Sequence, residues 1–241
     1  MKKIMLILFG ITCISNGLIA QINLNNALDK SNDLIKSGQV PKLTNDEVVS
    51  GLREALTVGI NKSTASASVT DGFNKNPKIK IPFPKEVIQV KTTAEKLGMK
   101  PQVDKFVLSL NRAAEEASKE AAPIFINAIK SMSVTDGFTI LKGADNAATE
   151  FLNDKTSAEL RAKFKPIVQQ AINKVQVTKF WTPLATNYNK VPGAKKVNPN
   201  LEEYVTLKAI EGLFVLLAEE ELKIRKDPSA RISDLLKKVF G

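Results

Sequence analysis

Apolar residues recur along this chain at helical spacing and almost nowhere at the two-residue spacing of a strand. Thr44-Asn45-Asp46-Glu47 is a capping box, in which Thr44 accepts a backbone N–H and Glu47 reaches back. Val48, Val49, Leu52, Leu56 and Ile60 then mark the buried face of a helix. Val87, Ile88 and Leu97 predict another, stopped by Gly98, and Pro101 opens the next through Val103, Phe106, Leu110, Ala114 and Ala117. Ile124, Phe125 and Ile129 share a face, and Thr135-Asp136 caps a short helix that Gly143 ends. Thr156-Ser157-Ala158-Glu159 is a second capping box, opening a helix that Pro166 kinks or divides. Asn189 to Pro199 is a polar loop, and a last helix runs from Ile232 to Phe240.

The most apolar helix covers about 199–225. Leu201, Val205, Ile210, Leu213, Phe214 and Leu217 supply one face, and Val215, Leu216 and Ala218 widen it until it is apolar almost all round. Such a helix belongs inside a bundle. The fold class is therefore all-α, a multi-helix bundle around this central helix.

One stretch breaks the pattern. Asp71-Gly72 marks a turn, and Pro77, Pro82 and Pro84 forbid a continuous helix. Lys78-Ile79-Lys80-Ile81-Pro82-Phe83 alternates polar and apolar residues. About 74–84 reads as an extended Pro-rich strap, with Ile79, Ile81 and Phe83 inward and the lysines in water; the alternative is an anion-facing lip. Ser-Val-Thr-Asp-Gly-Phe occurs twice, at 68–73 and 133–138, but the sequences that follow differ completely. A structural repeat would continue, so the match reflects shared turn and cap chemistry, or chance.

The N-terminus adds an address. Lys2 and Lys3 precede an apolar run from Ile4 to Ile14, and Leu18-Ile19-Ala20 offers a cleavage site before Gln21. Residues 1–20 read as a secretory signal peptide, and the chain is expected to be exported to the periplasm, with secretion or envelope association as alternatives. Lipidation at Cys13 competes with cleavage after Ala20, although Gly10 and Thr12 fit that signal poorly. After cleavage no transmembrane segment is expected, since no later apolar run approaches about 20 residues. Residues 21–241 read as a single helical domain, with 21–42 packed loosely through Leu24, Leu28 and Ile35.

Removing Lys2 and Lys3 with the leader takes the formal net charge from +10 to +8. Only five arginines are present, so the excess is lysine. Readers of phosphate and bases lean on arginine's planar fork, and nucleic acid is not an expected partner. The chain has no histidine, and its single cysteine, Cys13, lies in the leader. Histidine-based triads, thiol nucleophiles and the usual zinc sites are thereby excluded. Neither a glycine-rich phosphate loop nor an acidic calcium loop is present. No metal and no cofactor is expected.

Carboxylates remain. Arg112 and Glu116 are four apart on a helix beside Asn111 and Glu115, which predicts an i,i+4 pair. Glu219, Glu220 and Glu221 close the apolar helix, and extending its stripe turns Glu220 or Glu221 inward. The candidate polar site is thus Asn111, Arg112, Glu116 and Glu220, with no catalytic residue assigned. A half-buried acid of raised pKa would suit a hydrolase of envelope polymers. The plainer reading pairs Glu221 with Arg225 and Arg112 with Glu116 on the surface. Trp181, Tyr188 and Tyr204 are candidates to line an apolar site between helices, although aromatics at this spacing are usually core.

Several stretches resemble a bacterial family known as domain of unknown function 4197. They include Gly51-Leu52-Arg53-Glu54-Ala55-Leu56, Asp71-Gly72-Phe73 with Asn76-Pro77, and Ile81-Pro82-Phe83-Pro84. Leu110-Asn111-Arg112-Ala113-Ala114-Glu115, Tyr204-Val205-Thr206, Gly212-Leu213-Phe214 and Ala218-Glu219-Glu220-Glu221 with Ile224-Arg225 continue it, and Leu235 to Gly241 closes it. The resemblance runs from about Leu43 onward. It implies an exported helical protein and brings no catalytic residues. The expected function is a non-catalytic helical binding or scaffold protein of the cell envelope, its partner an envelope ligand or protein; the alternative is a carboxylate-based hydrolase.

Overall fold

The computed structural model describes residues 44–174, 176–197, 200–231, 237 and 239. The expected leader and the amphipathic segment of 21–42 lie outside the described residues, as does the helix from Ile232 to Phe240 except for Lys237 and Val239, both helical. Eight α-helices follow in order: α1 (Asn45–Ser68), α2 (Ile88–Lys96), α3 (Lys100–Ser118), α4 (Ala121–Lys130), α5 (Val134–Lys142), α6 (Ala147–Lys174), α7 (Val177–Asn189) and α8 (Leu201–Lys226). There is no strand among the described residues, and the fold is an all-α bundle.

Local chemistry explains several helix ends. Thr44 accepts from the Glu47 N–H while Glu47 accepts from Thr44, which closes the first capping box. Ser133 and Asp136 form a second at the start of α5, two residues ahead of the cap expected at Thr135-Asp136. Asn200 caps α8 through the Glu203 N–H.

α6 departs from expectation. It begins at Ala147 rather than at the box of Thr156 to Glu159, and it runs through Pro166 without a break. Thr156 lies inside the helix, its hydroxyl donating to the Leu152 carbonyl at 2.5 Å. The reason is tertiary: the Glu221 carboxylate, from α8, accepts the Ala148 and Thr149 N–H groups at 2.9 Å each. A cap from 72 and 73 residues away leaves no local signature.

α8 packs against α1, α3 and α6. α3 meets the same elements and also α2, α4 and α7, so the centre is shared between α3 and α8. Phe106, Leu110, Ala113, Ala114 and Ala117 of α3 are fully buried. Phe83 meets the Phe106 ring edge-on and Trp181 lies tilted against it, with ring centroids 5.1 and 5.2 Å away. Each such pair adds about 1 kcal/mol beyond the area it buries.

The strap between α1 and α2 alternates in burial: Ile79, Ile81 and Phe83 are buried, whereas Lys78, Lys80 and Pro82 are exposed. It has no neighbouring strand to satisfy its backbone. Side chains of α3 and α8 do so instead. Asn111, fully buried, accepts the Ile81 N–H at 2.8 Å and donates to the Ile81 carbonyl at 2.9 Å, as a partner strand would. Tyr204 donates its hydroxyl to the Pro82 carbonyl at 3.0 Å. Phe73 is wholly buried against Gly212 of α8, where an added Cβ would stand 2.8 Å from its ring and 3.2 Å from Ile79 Cβ. Gly212 is therefore the notch through which strap and helix close.

Filling that notch forces Phe73 or the strap backbone aside. Gly212→Ala is expected to lower stability by about 1–3 kcal/mol despite alanine's better helix propensity, read as a lower urea midpoint by circular dichroism. An unchanged or raised midpoint would show that the strap gives way at no cost.

Candidate functional site

The four polar residues singled out by sequence do not form one site. Asn111 is committed to Ile81, and its amide also donates to the Val107 carbonyl at 2.8 Å. Arg112 does not pair with Glu116. It turns instead to Glu115 at 2.6 Å and to Asp71 at 2.7 Å. Position 115 lies on the buried flank of α3 with Asn111 and Ser118, while Glu116 points outward to Lys119 and Lys174. Glu220 is held by Lys223 and approaches Lys62 at 3.8 Å.

The residue that matters on α3 is thus Glu115. One oxygen accepts the Phe73 and Asn74 N–H groups at 3.1 and 3.2 Å, and the other meets Arg112. Asp71, at positive φ (69°), faces Asn74, Lys75 and Arg112. Those hydrogen bonds hold its carboxyl far below the usual carboxylate range. The turn before the strap is locked by charge on both sides.

The second buried acid is Glu221. Arg225 does pair with it, at 2.8 Å, but inside the protein rather than on its surface, their side chains being 5% and 10% exposed. Glu221 receives the first turn of α6, with the Thr149 hydroxyl adding a bond at 2.8 Å. Arg225 donates to the Ile140 carbonyl at 2.8 Å, at the end of α5. Negative charge at a helix start and positive charge at a helix end are each favoured by the helix dipole. The void beside the pair, lined also by Leu52, Leu56 and Gly59, holds about 10 Å³, room for one water molecule.

Every arginine is spent in this way. Arg53 reaches the Met132 carbonyl, Arg161 binds Glu203, and Arg231 donates to the Ile224 and Arg225 carbonyls that end α8. Trp181 and Tyr188 are core residues, the latter donating to Gln89 at 2.9 Å. Burial, with Glu86 and Glu211 nearby, pushes the Tyr204 hydroxyl up to about 12, so it stays a donor to Pro82.

Glu116 cannot serve as a general acid near neutral pH. The Lys119 and Lys174 ammonium groups hold its carboxyl below the usual range and keep it ionised. It lines a groove with Ile167, Gln170 and Lys174, away from the void that Glu221 faces. No described trio of acidic side chains is grouped to hold a metal ion.

The open space lies elsewhere. A groove of about 570 Å³ runs between α6 and α8. Leu207, Ile210, Phe214 and Val215 form its apolar wall, and polar and charged side chains share the lining, with Asn146, Glu150, Asn153, Ser157, Arg161 and Glu211. A second groove of about 500 Å³ continues along the same flank of α8 past Leu207 to Tyr204, Glu203 and Lys195. Sequence reasoning missed the first groove because Phe214 and Val215 read as core. The signal was the near-complete apolar girth of α8, which exceeds what α1, α3 and α6 cover.

Fold and polar residues together define a helical protein whose buried acids and their arginines join helix ends, with open grooves along one flank of α8. The sequence profile of a family described as protein of unknown function (DUF4197) matches residues 42–241. The chain belongs to that family. No curated protein and no solved structure matches it.

Two outcomes follow from the carboxylates. Glu221→Ala strands two backbone N–H groups and Arg225, and is expected to cost about 3–5 kcal/mol, whereas Glu116→Gln and Glu220→Gln stay within about 1 kcal/mol. Denaturant melts of the three variants check the ranking, and equal losses would refute it. Acid dependence has a definite sign. Asp71, Glu116, Asp136 and Asp227 all have lowered folded pKa values, so their contribution is complete above about pH 4, the unfolded value, and is lost below it. With no histidine to titrate, the urea midpoint should be flat from about pH 5.5 to 8 and fall below about 4. Asp71→Asn should lower the plateau and reduce the acid slope; an unchanged slope would remove Asp71 from the account.

Proposed function

We propose that this is an exported, non-catalytic protein of the cell envelope that binds a partly apolar ligand or partner segment in the groove between α6 and α8. The groove carries the reading. An apolar wall with Leu207 45% exposed, facing polar and charged side chains that include Glu150, Arg161 and Glu211, is the composition of a binding site that orients an apolar body by a few polar contacts. Export rests on the leader, Lys2-Lys3 followed by Ile4 to Ile14, and periplasmic residence on the same feature. No described helix is long and apolar enough to cross a membrane.

The carboxylates on which the hydrolase alternative drew are engaged elsewhere. It needs two carboxylates converging in an open cleft, one of them protonated. Glu116 is held ionised by two lysines, and Glu221 is closed in by Arg225 and backbone N–H groups. Glu220 lies between Lys223 and Lys62.

Native mass spectrometry of the protein recovered from its own envelope fraction tests the groove. Wild type should carry an added mass, and Val215→Glu, which sets a charge in the half-buried wall, should lose at least tenfold of it. An empty wild type, or an adduct unaffected by the variant, overturns the reading.

A further inference from the structure

The charge of this protein is not evenly spread. Between Glu159 and Glu202 the chain has no acidic residue and eight basic ones. Four of these are neutralised: Arg161 by Glu203, Lys163 by Glu159, Lys165 by Glu202 and Lys174 by Glu116. The other four, Lys179, Lys190, Lys195 and Lys196, are exposed and have no ion pair among the described residues. All four lie on α7 or the loop that follows it.

Two of them share one face of α7, and the other two line the groove that reaches Tyr204. Lys179 and Lys190 stand eleven residues apart on or at the end of α7, which returns them to the same face about 16 Å from each other. Thr182, Pro183 and Thr186, also exposed, fill the face between them. The loop then turns through Val191-Pro192-Gly193, with Val191 37% exposed and Gly193 at φ +78°. Nothing lies within 4 Å of where a Gly193 side chain would begin, so this tip stands clear of the fold. Two carboxylates share the groove beside Lys195 and Lys196: Glu86, and Glu203, which Arg161 already holds.

From this we infer that α7 and the loop of residues 190–197 form a docking face for an anionic phospholipid surface. A small anion or a nucleic-acid backbone is gripped by converging donors, most often arginine forks. Here the donors are lysines spread along one helix face and the loop after it, beside a projecting apolar tip. A bilayer presents the matching chemistry, a plane of negative headgroups over an apolar layer. The strap is less suited, because Lys78 pairs with Glu219 and Lys75 with Asp71. The inference does not depend on the α6–α8 groove.

The test is sedimentation of the protein, as recovered from its own cells, with vesicles of phosphatidylcholine alone or mixed with phosphatidylglycerol, at low and high salt. Each lysine near an anionic surface is worth about a fivefold change in partitioning. Binding should require phosphatidylglycerol, fall with salt, and drop more than a hundredfold in K179Q/K190Q/K195Q/K196Q. The variant K105Q/K130Q/K142Q/K155Q makes the same change in net charge elsewhere and should bind nearly as wild type. Equal loss in both variants would assign the effect to net charge and overturn the proposal. So would undiminished binding to neutral vesicles, or binding to soluble polyphosphate as strong as to vesicles. Circular dichroism confirms that both variants remain folded.

Discussion

A backbone N–H buried without an acceptor costs about as much as a lost hydrogen bond, and this fold creates several where its helices stop. The turn after α1 exposes the N–H groups of Phe73 and Asn74 to the interior, the strap exposes that of Ile81, and α6 starts with those of Ala148 and Thr149. Three side chains meet all five: Glu115, Asn111 and Glu221. Two of the three are acids, and each carries an arginine on its own helix, Arg112 before Glu115 and Arg225 after Glu221. Charge and hydrogen bonding are thus satisfied together, which is the condition for burying a carboxylate at all.

This constraint explains why the polar clusters carry so little chemistry. A carboxylate that already accepts two N–H groups and faces a guanidinium has few lone pairs left for a substrate. Several stretches that carry the family resemblance meet here: Asp71-Gly72-Phe73 against Glu115 and Gly212, Ile81 against Asn111, Pro82 against Tyr204. They join the strap to its two supporting helices.

What the sequence made legible follows the same line. Periodicity located α1, α3, α4 and the bulk of α8, because their apolar faces are local, as are the caps of α1 and α8. It placed a polar neighbourhood at Asn111 and Arg112, but chose Glu116 where the buried acid is Glu115. One residue is 100° of helix, and Arg112 reaches either neighbour by spacing alone. The start of α6 was illegible because its cap comes from Glu221. The hexapeptide at 68–73 and 133–138 makes the point sharply. In one copy the serine ends α1 and the aspartate turns to Arg112; in the other the serine caps α5 and bonds that aspartate. The same six residues serve two conformations, decided by what packs beside them.

Gly212 and Glu221 have a further consequence, for the order in which the molecule can be completed. Phe73 finds its seat, and α6 its first-turn acceptor, only when α8 is present, and α8 follows all the other long helices of the described residues. Contacts of such long sequence separation close late. Until then the strap has one wall and α6 an unsatisfied end. The chain therefore travels the greater part of its synthesis without a finished core, and commits to its fold as nearly a whole.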